Sequence, residues 1–519
     1  MKVKKTDKIK FFAVSMSFIC SFSAFSQMAN IDSLREIWRN EADFILKFYT
    51  ANAFDTLRGL TSEEWNNGVN EIYEKINRCN THKEYLYALR YFGALINDAH
   101  VEFSGNGVYN RKKIFQKTDT LFPVWVKSWR DGRVFAVKDF SEQLPVCSEI
   151  ISINGIPAKN IAEKQRRLFP CEDRLAAAWT SSIREGDPLL WTNFANYLFC
   201  EKIRHPFTVE YKPADDTAVR TIKLSGLQRE KIDIIYNENE GKEAPKEGFA
   251  LLFSLGKNTV GYSKINDSIA VLKIKMFLGS TILGYLFSGM EDTGFPKKLS
   301  KIMKQIQCDG IRHLIIDLRD NPGGYLYNVY ELLAFFTDEK FVASEIYKTT
   351  EQSKAEAAKL LKQSYKKLYG KKHSDVLRSM EIFHSMPDGS IFRSDTVLPM
   401  YYNCLKPVKY RYDGKTYLLT SGMSYSASVM CADLFKSYKL GLLAGESPGG
   451  YSAVSSGDGI TATLPYSRFT TIKVPVFYEK TTDSYKYVEP DIPIEPTFEE
   501  WLYNKHDSLK KLLAIIMKK

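Results

Sequence analysis

The sequence is poor in the residues that build metal sites. It has only eight cysteines and seven histidines in 519 residues. The cysteines are widely scattered, whereas a zinc site needs ligands in closely spaced groups. We therefore expect no bound metal ion.

The sequence also lacks an apolar segment long enough to be a convincing membrane span. The N-terminal run from Phe11 to Phe25 is short and rich in serine. It follows five lysines and ends in Ala24-Phe25-Ser26 before Gln27, the pattern of a signal peptide with its cleavage site. We therefore predict a signal peptide over residues 1–26. The mature protein should be exported, periplasmic or extracellular, with no stable membrane insertion.

The excess of positive charge is small. Loss of residues 1–26 removes five lysines and one aspartate and lowers the formal net charge from +11 to +7. Spread over so long a chain, this charge does not indicate a partner such as DNA or RNA.

The predicted mature chain keeps an odd number of cysteines, which excludes complete intramolecular pairing. Several lie in apolar stretches, so small buried hydrophobic side chains are the default expectation. Export would permit a disulfide, and Cys171 with Cys200 is the one pair that we consider.

The segment from Tyr417 to Ala427 predicts a buried strand, a glycine-containing loop and a serine at the start of a helix. A serine at this position lies beside unpaired backbone amides and a partial positive charge, which suits an acyl-transfer nucleophile. The alternative is that Ser424 or Ser426 only caps the helix, because serine is a preferred N-cap residue. The helix itself is indicated by apolar residues at helical spacing: Ala427, Met430, Cys431, Leu434, Phe435 and Tyr438.

A second glycine-bearing turn favours the catalytic interpretation. The apolar run from His313 to Arg319 predicts a strand buried on both faces of a parallel sheet. It leads into Asp320-Asn321-Pro322-Gly323-Gly324, where paired glycines let backbone amides approach a ligand closely. An ordinary tight turn is the alternative, since these residues are common turn formers. One turn with a serine and another with glycine amides together predict a nucleophile and an oxyanion hole.

These motifs also carry a family resemblance. Residues 317–324, then 420–428, then Gly445-Glu446-Ser447-Pro448-Gly449-Gly450 occur in the order found in the C-terminal processing and tricorn-type serine peptidases, and residues 488–492 resemble the closing strand motif of that family. The resemblance covers roughly residues 250 to 500. It implies an α/β fold with a crotonase-like or ClpP-like spiral core, and no organic cofactor.

The family resemblance offers two catalytic arrangements. In the processing branch a lysine follows the serine by 25 residues, but counting from Ser426 leads to Tyr451. In the tricorn-like branch the base is a histidine from far upstream, and Asn97-Asp98-Ala99-His100 resembles its motif. We therefore predict His100 as the general base. A neutral imidazole near pH 7 can take the serine proton and return it to the leaving amine.

The resemblance also implies an acid that orients the histidine and amides that bind the oxyanion. The nearest match for the acid is Asp483, with Glu479 and Glu489 as rivals, because the match in residue type and spacing is imperfect. For the oxyanion hole it implies the amide of Ala427 with that of Gly323 or Gly324.

The pattern along the rest of the chain predicts three regions. Residues 27–115 are helical and end with the His100 loop, residues 116–226 are rich in strands with a helical insertion, and residues 227–519 form the catalytic domain. The string from Ser148 to Gly155 resembles a strand and turn of PDZ domains, which capture chain ends at a sheet edge. Ser148 stands where glycine is usual, so a structural small domain is the alternative.

The prediction from sequence is an exported serine endopeptidase of the carboxyl-terminal processing type. Its site would comprise Ser426, His100 and Asp483 with Gly323, Gly324 and Ala427, and its partners would be peptides or unfolded proteins. One alternative is a catalytically inactive peptide-binding protein of the same fold. Another is an acyl hydrolase such as an esterase.

Overall fold

A computed structural model describes most of the chain after the N-terminal segment. The described residues are 31–105, 116–169, 171–182, 193–240, 259–278, 294–339, 344–358, 381–393, 408–457, 459–467, 470–475, 477–480 and 485–518. The predicted signal peptide and Asp483 lie outside these residues. In the described part of the chain no helix has both the length and the apolar character needed to cross a membrane.

The N-terminal region is helical, as its apolar pattern predicts. Its elements are α1 (Ile31–Asn52), α2 (Ser62–Asn77), α3 (His82–Ala88), α4 (Arg90–Ile96) and the short strand β1 (Glu102–Gly105). Thr61 caps α2 with a capping box, in which its side chain accepts from the Glu64 amide and the Glu64 carboxylate accepts from the Thr61 amide. Helix α4 ends at Asn97, whose φ of 56° is left-handed, a conformation that asparagine tolerates. The chain therefore turns sharply just before His100.

The second region is a sheet with a helical insertion. Its elements are β2 (Thr120–Leu121), β3 (Val124–Ser128), β4 (Val134–Asp139), β5 (Glu149–Ile153), β6 (Ile156–Pro157), α5 (Ala158–Arg166), α6 (Asp173–Thr180), α7 (Phe194–Cys200), β7 (Phe207–Lys212), β8 (Arg220–Leu224), β9 (Leu227–Gln228) and α8 (Arg229–Glu240). The strand order is β3-β4-β5-β7-β8, and every pairing is antiparallel. One face buries an apolar core that includes Trp125, Ile153 and Val209.

The third region is built on a mostly parallel six-stranded sheet. Its first elements are β10 (Val260–Lys264), β11 (Ile269–Ile274), α9 (Gly294–Cys308), β12 (His313–Asp317), α10 (Leu326–Leu333), β13 (Ser344–Lys348), β14 (Ile391–Arg393), β15 (Lys415–Thr420), α11 (Ala427–Ser437) and β16 (Leu442–Gly445). The later ones are β17 (Val454–Ser455), β18 (Gly459–Thr463), β19 (Thr470–Pro475), β20 (Phe477–Lys480), β21 (Ile492–Pro493), α12 (Phe498–Leu502) and α13 (Ser508–Met517). The main sheet has the order β10-β11-β12-β15-β16-β21.

Both faces of this sheet are covered, which explains its continuous apolar strands. On one face, Leu314, Ile316 and Leu418 pack against α9, α10 and α11. On the other face, Ile315 and Leu419 pack against α13. A strand buried on both sides has no polar alternation, and this is the pattern seen from His313 to Asp317. The predicted α/β architecture with a spiral core is confirmed.

Two smaller sheets attach the remote parts of the chain to this core. The order in one is β1-β19-β18 and in the other β14-β13-β20-β17. In the first, Phe103 pairs with Ile472 in an antiparallel ladder, so the segment after His100 is anchored to a strand more than three hundred residues downstream. This pairing joins the N-terminal region to the third region.

A buried lysine joins the second region to the C-terminal helices. Lys127 on β3 is 2% exposed, and its ammonium donates to the carbonyls of Trp501 (2.5 Å) and Leu502 (3.0 Å) and to Asn504 Oδ1 (3.0 Å). Cations are favourable at helix C-termini, where carbonyls lack intrahelical partners. The contact therefore fixes α12 against the strand-rich region.

We expect Lys127→Met to destabilise the protein by about 2 to 3 kcal/mol, because it leaves buried acceptors without a donor. The measurement is the thermal unfolding temperature, with the exposed Lys223→Met on β8 as the matched control. The control should change stability by less than about 0.5 kcal/mol. Equal melting temperatures for the two variants would contradict this assignment.

The disulfide considered from the sequence is wrong. Cys171 and Cys200 both carry free thiols, as do Cys79, Cys147, Cys308 and Cys431. The pKa of Cys79 is raised to about 11 and that of Cys200 to about 12, in both cases mainly by burial. These thiols behave as small apolar side chains, as expected from their apolar surroundings.

Candidate active site

The two predicted turns meet at one edge of the main sheet. Strands β12 and β15 are parallel neighbours, with Asp317 opposite Leu419, so their carboxyl ends lie side by side. Residues 320–324 follow the first strand and residues 421–426 follow the second. Loops at the carboxyl ends of adjacent parallel strands form the usual binding crevice of an open α/β sheet.

Asn321 holds the two turns together. It is fully buried, its carbonyl accepts from the Tyr425 amide (3.0 Å) and the Ser428 hydroxyl (3.0 Å), and its Nδ2 donates to the Ile274 carbonyl (2.9 Å). Because a buried polar group is costly unless it is paired, these bonds fix the spacing of the loops.

Ser426 stands at the start of α11 in a strained conformation. Its φ of 55° and ψ of −120° are unusual for a residue with a side chain, and such strain costs about 1 to 3 kcal/mol. Its side chain makes no capping hydrogen bond to the helix. A serine on a sharp strand-to-helix turn exposes its hydroxyl, as a nucleophile requires.

The capping alternative does not describe either serine. Ser424 is fully buried, donates to the Leu318 carbonyl (2.8 Å) and accepts from the Ser421 amide (3.0 Å). It stabilises the loop rather than the helix end. Ser426 is partly exposed and contacts His100 instead.

The glycine turn lies directly against Ser426. A Cβ atom at Gly323 would meet Ser426 Cβ at 2.7 Å, and one at Gly324 would meet the Phe277 carbonyl oxygen at 2.6 Å. Their φ values of 108° and 132° also suit only glycine. Both positions therefore exclude any larger residue.

The amides around Ser426 differ in availability. The Gly323 amide already donates to Asn321 Oδ1 at 2.8 Å. Phe277 pairs with the glycine turn in a short parallel bridge, in which its amide donates to the Gly323 carbonyl and its carbonyl accepts from the Tyr325 amide. These two bonds do not use the Gly324 amide. The Ala427 amide is the first of α11, where helical amides have no intrahelical acceptor. Of the two glycines, Gly324 is therefore the better candidate for an oxyanion contact.

His100 reaches Ser426 from the N-terminal region. Its Nε2 lies 3.0 Å from Ser426 Oγ, and its Nδ1 lies 2.8 Å from Ser455 Oγ. Ser455 belongs to β17 and is buried. The imidazole is thus held between two hydroxyl groups that come from separate elements of the third region.

The chain of hydrogen bonds continues to a buried carboxylate. Ser455 Oγ donates to Asp98 Oδ1 at 2.7 Å, and the His100 amide donates to the same oxygen at 2.9 Å. Since the Ser455 proton is directed at Asp98, its oxygen is left to accept from Nδ1–H of His100. This assignment places the ring proton on Nδ1 and a lone pair on Nε2, facing Ser426.

Arg58 keeps Asp98 ionised. Burial by itself would raise the pKa of Asp98, but the Arg58 guanidinium 3.2 Å away and the bonds from His100 hold that pKa well below its ordinary value. Arg58 also donates to the Asn97 carbonyl at 3.1 Å. The carboxylate is therefore charged while it supports His100.

The acids predicted from sequence occupy other places. Asp483 lies outside the described residues. Glu479 lies on β20 with its backbone opposite Val454, and its side chain is outside the description. Glu489 is largely exposed and forms an ion pair with Arg174 at 2.6 Å. The Glu489 carboxylate is therefore paired with an arginine.

Tyr451, at the position of the processing-branch lysine, packs among aromatic rings. Its ring centroid lies 4.8 Å from that of Tyr487 and 5.7 Å from that of Tyr485. It fills space beside the site with an aromatic side chain.

Sequence reasoning missed the contacts that Asp98, Ser455 and Arg58 make behind His100. Asp98 had a signal, because an aspartate two residues before His100 can accept from its amide and form an Asx turn. Ser455 had none, since its contact with His100 depends on strand pairing far along the chain. In the described part of the chain, no three His, Cys, Asp or Glu side chains form a group that could hold a metal ion.

A cavity of about 490 Å³ separates the second region from the serine loop. Trp129, Arg130 and Arg174 line one side, and Gly422 and Met423 line the other. Pockets of this size at domain interfaces are common ligand sites. The cavity therefore adjoins the loop that leads to Ser426 and offers apolar and charged contacts to a ligand.

Comparison with known proteins gives one family match. The model of peptidase family S41 matches residues 268–496, which include both turns, Ser426 and Ser455. No curated protein matches the chain significantly.

Solved structures resemble the whole fold. The crystal structure of a CPAF mutant has 14% sequence identity and a TM-score of 0.55, and the match covers 90% of this chain and 95% of that one. The crystal structure of mature CPAF has 13% identity and a TM-score of 0.52, and that match covers 90% of this chain and 94% of the other. Identities this low show a shared fold alone.

Proposed function

Residues 268–496 belong to peptidase family S41, as the motifs predicted, and on the premise that the protein is a serine-type peptidase we propose that Ser426 and His100 carry its chemistry. The finer assignment, to a tricorn-like endopeptidase of the carboxyl-terminal processing type, is part of the same proposal. Its substrates would be peptides or unfolded proteins.

In the proposed reaction His100 Nε2 takes the proton of Ser426 as Oγ attacks the peptide carbonyl carbon. The resulting oxyanion receives hydrogen bonds from the amides of Ala427 and Gly324. His100 then protonates the leaving amine, and an acyl ester on Ser426 remains. Water attacks this ester with His100 again as base, which releases the carboxyl product and restores the serine.

Asp98 would orient His100 through Ser455. The bond from Nδ1–H to Ser455 Oγ, and from Ser455 to Asp98, holds the imidazole in the tautomer that can act as base. The buried negative charge also stabilises the imidazolium that forms during the reaction. Asp483 stays a rival for this role.

The observation that carries the proposal is the 3.0 Å separation of His100 Nε2 and Ser426 Oγ. These atoms come from residues 326 positions apart in the sequence. A nucleophile and a base at hydrogen-bond distance, with the base held on its other side, are the arrangement that activates a serine.

The test is labelling with a fluorophosphonate, followed by intact-mass analysis and peptide mapping. We expect a single adduct on Ser426 that is absent from Ser426→Ala and from His100→Ala. A folded protein without any adduct would instead favour an inactive peptide-binding protein. An adduct that forms at the normal rate in His100→Ala would show that another residue is the base. Peptide and ester substrates tested side by side would separate a peptidase from an esterase.

Export remains part of this proposal, supported by the signal-peptide pattern of residues 1–26. The same intact mass measures it, because a processed protein should begin at Gln27. A protein recovered with Met1 from a host that processes signal peptides would argue against export.

A further inference from the structure

A cluster of buried charged groups lies behind His100. Arg58, Asp98 and Glu172 are at most 2% exposed. The Arg58 guanidinium is 3.2 Å from Asp98 Oδ2 and 2.7 Å from Glu172 Oε1. Glu172 comes from the helical insertion of the second region, so the cluster joins that region to the His100 loop.

One cation between two buried carboxylates leaves an excess of negative charge, which is costly in a dry environment. Burial raises the pKa of Glu172, and the Asp98 charge raises it further against the opposing effect of Arg58. The pKa of Asp98 shifts in the opposite direction. Of the two carboxylates, Asp98, which lies beside His100, therefore keeps its charge to lower pH.

Tyr425 connects this cluster to the reacting groups. Its hydroxyl donates to Glu172 Oε2 at 2.8 Å and accepts from the Ala99 amide at 3.3 Å. Its ring stacks on the His100 imidazole with centroids 5.6 Å apart and planes 23° apart. Tyr425 also immediately precedes Ser426 in the chain. One buried side chain therefore contacts the base, the loop of the base and the second carboxylate.

Apolar packing encloses the same contact. Tyr425 packs with Phe169, Cys171, Leu175 and Ala176 of the helical insertion. Such a site excludes water, so the hydrogen bonds of Tyr425 and Glu172 have no solvent to replace them. Loss of either bond should therefore change the position of His100 relative to Ser426.

We propose that Tyr425 and Glu172 are positioning residues for hydrolysis by Ser426 and His100. Glu172 holds Arg58 against Asp98, and Tyr425 holds the His100 loop and its ring at the distance that Ser426 requires. This inference rests on the proposed function. The helical insertion thereby takes part in the reaction through Glu172, which contacts Arg58 and Tyr425.

The first test is Tyr425→Phe, which keeps the ring stacking and removes only the hydroxyl. We expect the rate constant for fluorophosphonate labelling of Ser426, and kcat for a peptide, to fall about tenfold, the equivalent of one lost hydrogen bond. KM should stay within about twofold, because the hydroxyl that is removed is bonded to Glu172 and to the Ala99 amide.

Tyr85→Phe is the matched control. Tyr85 is another buried tyrosine, and its hydroxyl donates to a buried glutamate, Glu41, at 2.7 Å. It lies in the N-terminal helices, away from Ser426. The control should lower the melting temperature about as much as Tyr425→Phe and leave the labelling rate unchanged.

The second test compares Glu172→Gln with Glu172→Leu. Glutamine keeps an oxygen that can accept from Arg58 or Tyr425, so we expect the labelling rate to fall by no more than about threefold. Leucine removes both acceptors and should lower the rate tenfold or more. This difference separates a positioning role from a general loss of stability, which the melting temperatures report independently.

The outcomes also separate this inference from the proposed function. Wild-type labelling that depends on His100, with unchanged rates in Tyr425→Phe and Glu172→Leu, would overturn the positioning role alone. A folded wild-type protein that is never labelled at Ser426 would overturn the proposed function itself.

Discussion

His100→Ala should lower kcat for peptide hydrolysis by about five to six orders of magnitude. The imidazole is the only group that contacts Ser426 Oγ among the hydrogen bonds of the described residues, at 3.0 Å. Without it the serine keeps its proton, and the leaving amine has no acid. Residual activity would come from the oxyanion contacts and substrate binding.

The double variant makes this prediction sharper. Because Ser426 and His100 act as one unit, Ser426→Ala with His100→Ala should be no slower than either single variant. His82→Ala is the matched control, since His82 lies in the N-terminal helices, packs on Tyr466 and has no place in the proposed reaction. Losses that add in the double variant, or an equal loss in the control, would contradict the assignment.

Asp98→Asn should lower kcat by about a thousandfold to ten thousandfold. Asparagine has nearly the same shape, but its neutral side chain cannot stabilise the imidazolium, and its NH2 group can reverse the hydrogen bonds that set the tautomer. We expect a smaller loss for Ser455→Ala, about tenfold to a hundredfold, because Asp98 Oδ1 remains 3.5 Å from Nδ1 of His100.

Asp483→Asn is the decisive comparison for this second prediction. If Asp98 orients His100, Asp483→Asn should change kcat by less than about twofold, as expected of a carboxylate without a catalytic role. Because Asp98 is buried and paired with Arg58, the melting temperatures of both variants must show that they are folded. A large loss in Asp483→Asn together with a small one in Asp98→Asn would restore the acid predicted from sequence.

Local sequence was sufficient for the elements that carry the serine and the glycines. The apolar runs at residues 313–317 and 415–420 form adjacent parallel strands, as their lack of polar alternation predicts. Strand, loop and helix follow one another within a few residues at Ser426. Hydrophobic pattern and turn chemistry act over such short distances, so they can be read from the chain.

The choice between the two glycine amides proposed for the oxyanion contact could not be made from the sequence. Gly323 and Gly324 are equivalent in sequence, but the Asx bond to Asn321 uses the amide of Gly323 alone. Which of these two adjacent amides is bonded to Asn321 depends on the backbone conformation of the whole turn. Composition does not encode that conformation.

The partners of His100 Nδ1 are still harder to predict from the sequence. Ser455 approaches His100 because β17 pairs with β20 and β1 pairs with β19. The pairing of β1 with β19 joins residues more than three hundred positions apart, and no local pattern reports it. Glu172 is also linked to Asp98 from far along the chain, through the Arg58 guanidinium between them, and Tyr425 is linked in turn through its hydrogen bond to Glu172.

Motifs and periodicity are local, so the sequence was enough to predict the α/β fold, the resemblance to a peptidase family and the two residues proposed as nucleophile and base. The tertiary structure was needed to find Ser455 and Asp98 behind His100, and the buried residues that we propose hold the two reacting groups together. The physical reason is that long-range strand pairing and burial select these partners. A hydroxyl or carboxylate acquires such a role from what the fold places within about 3 Å of it.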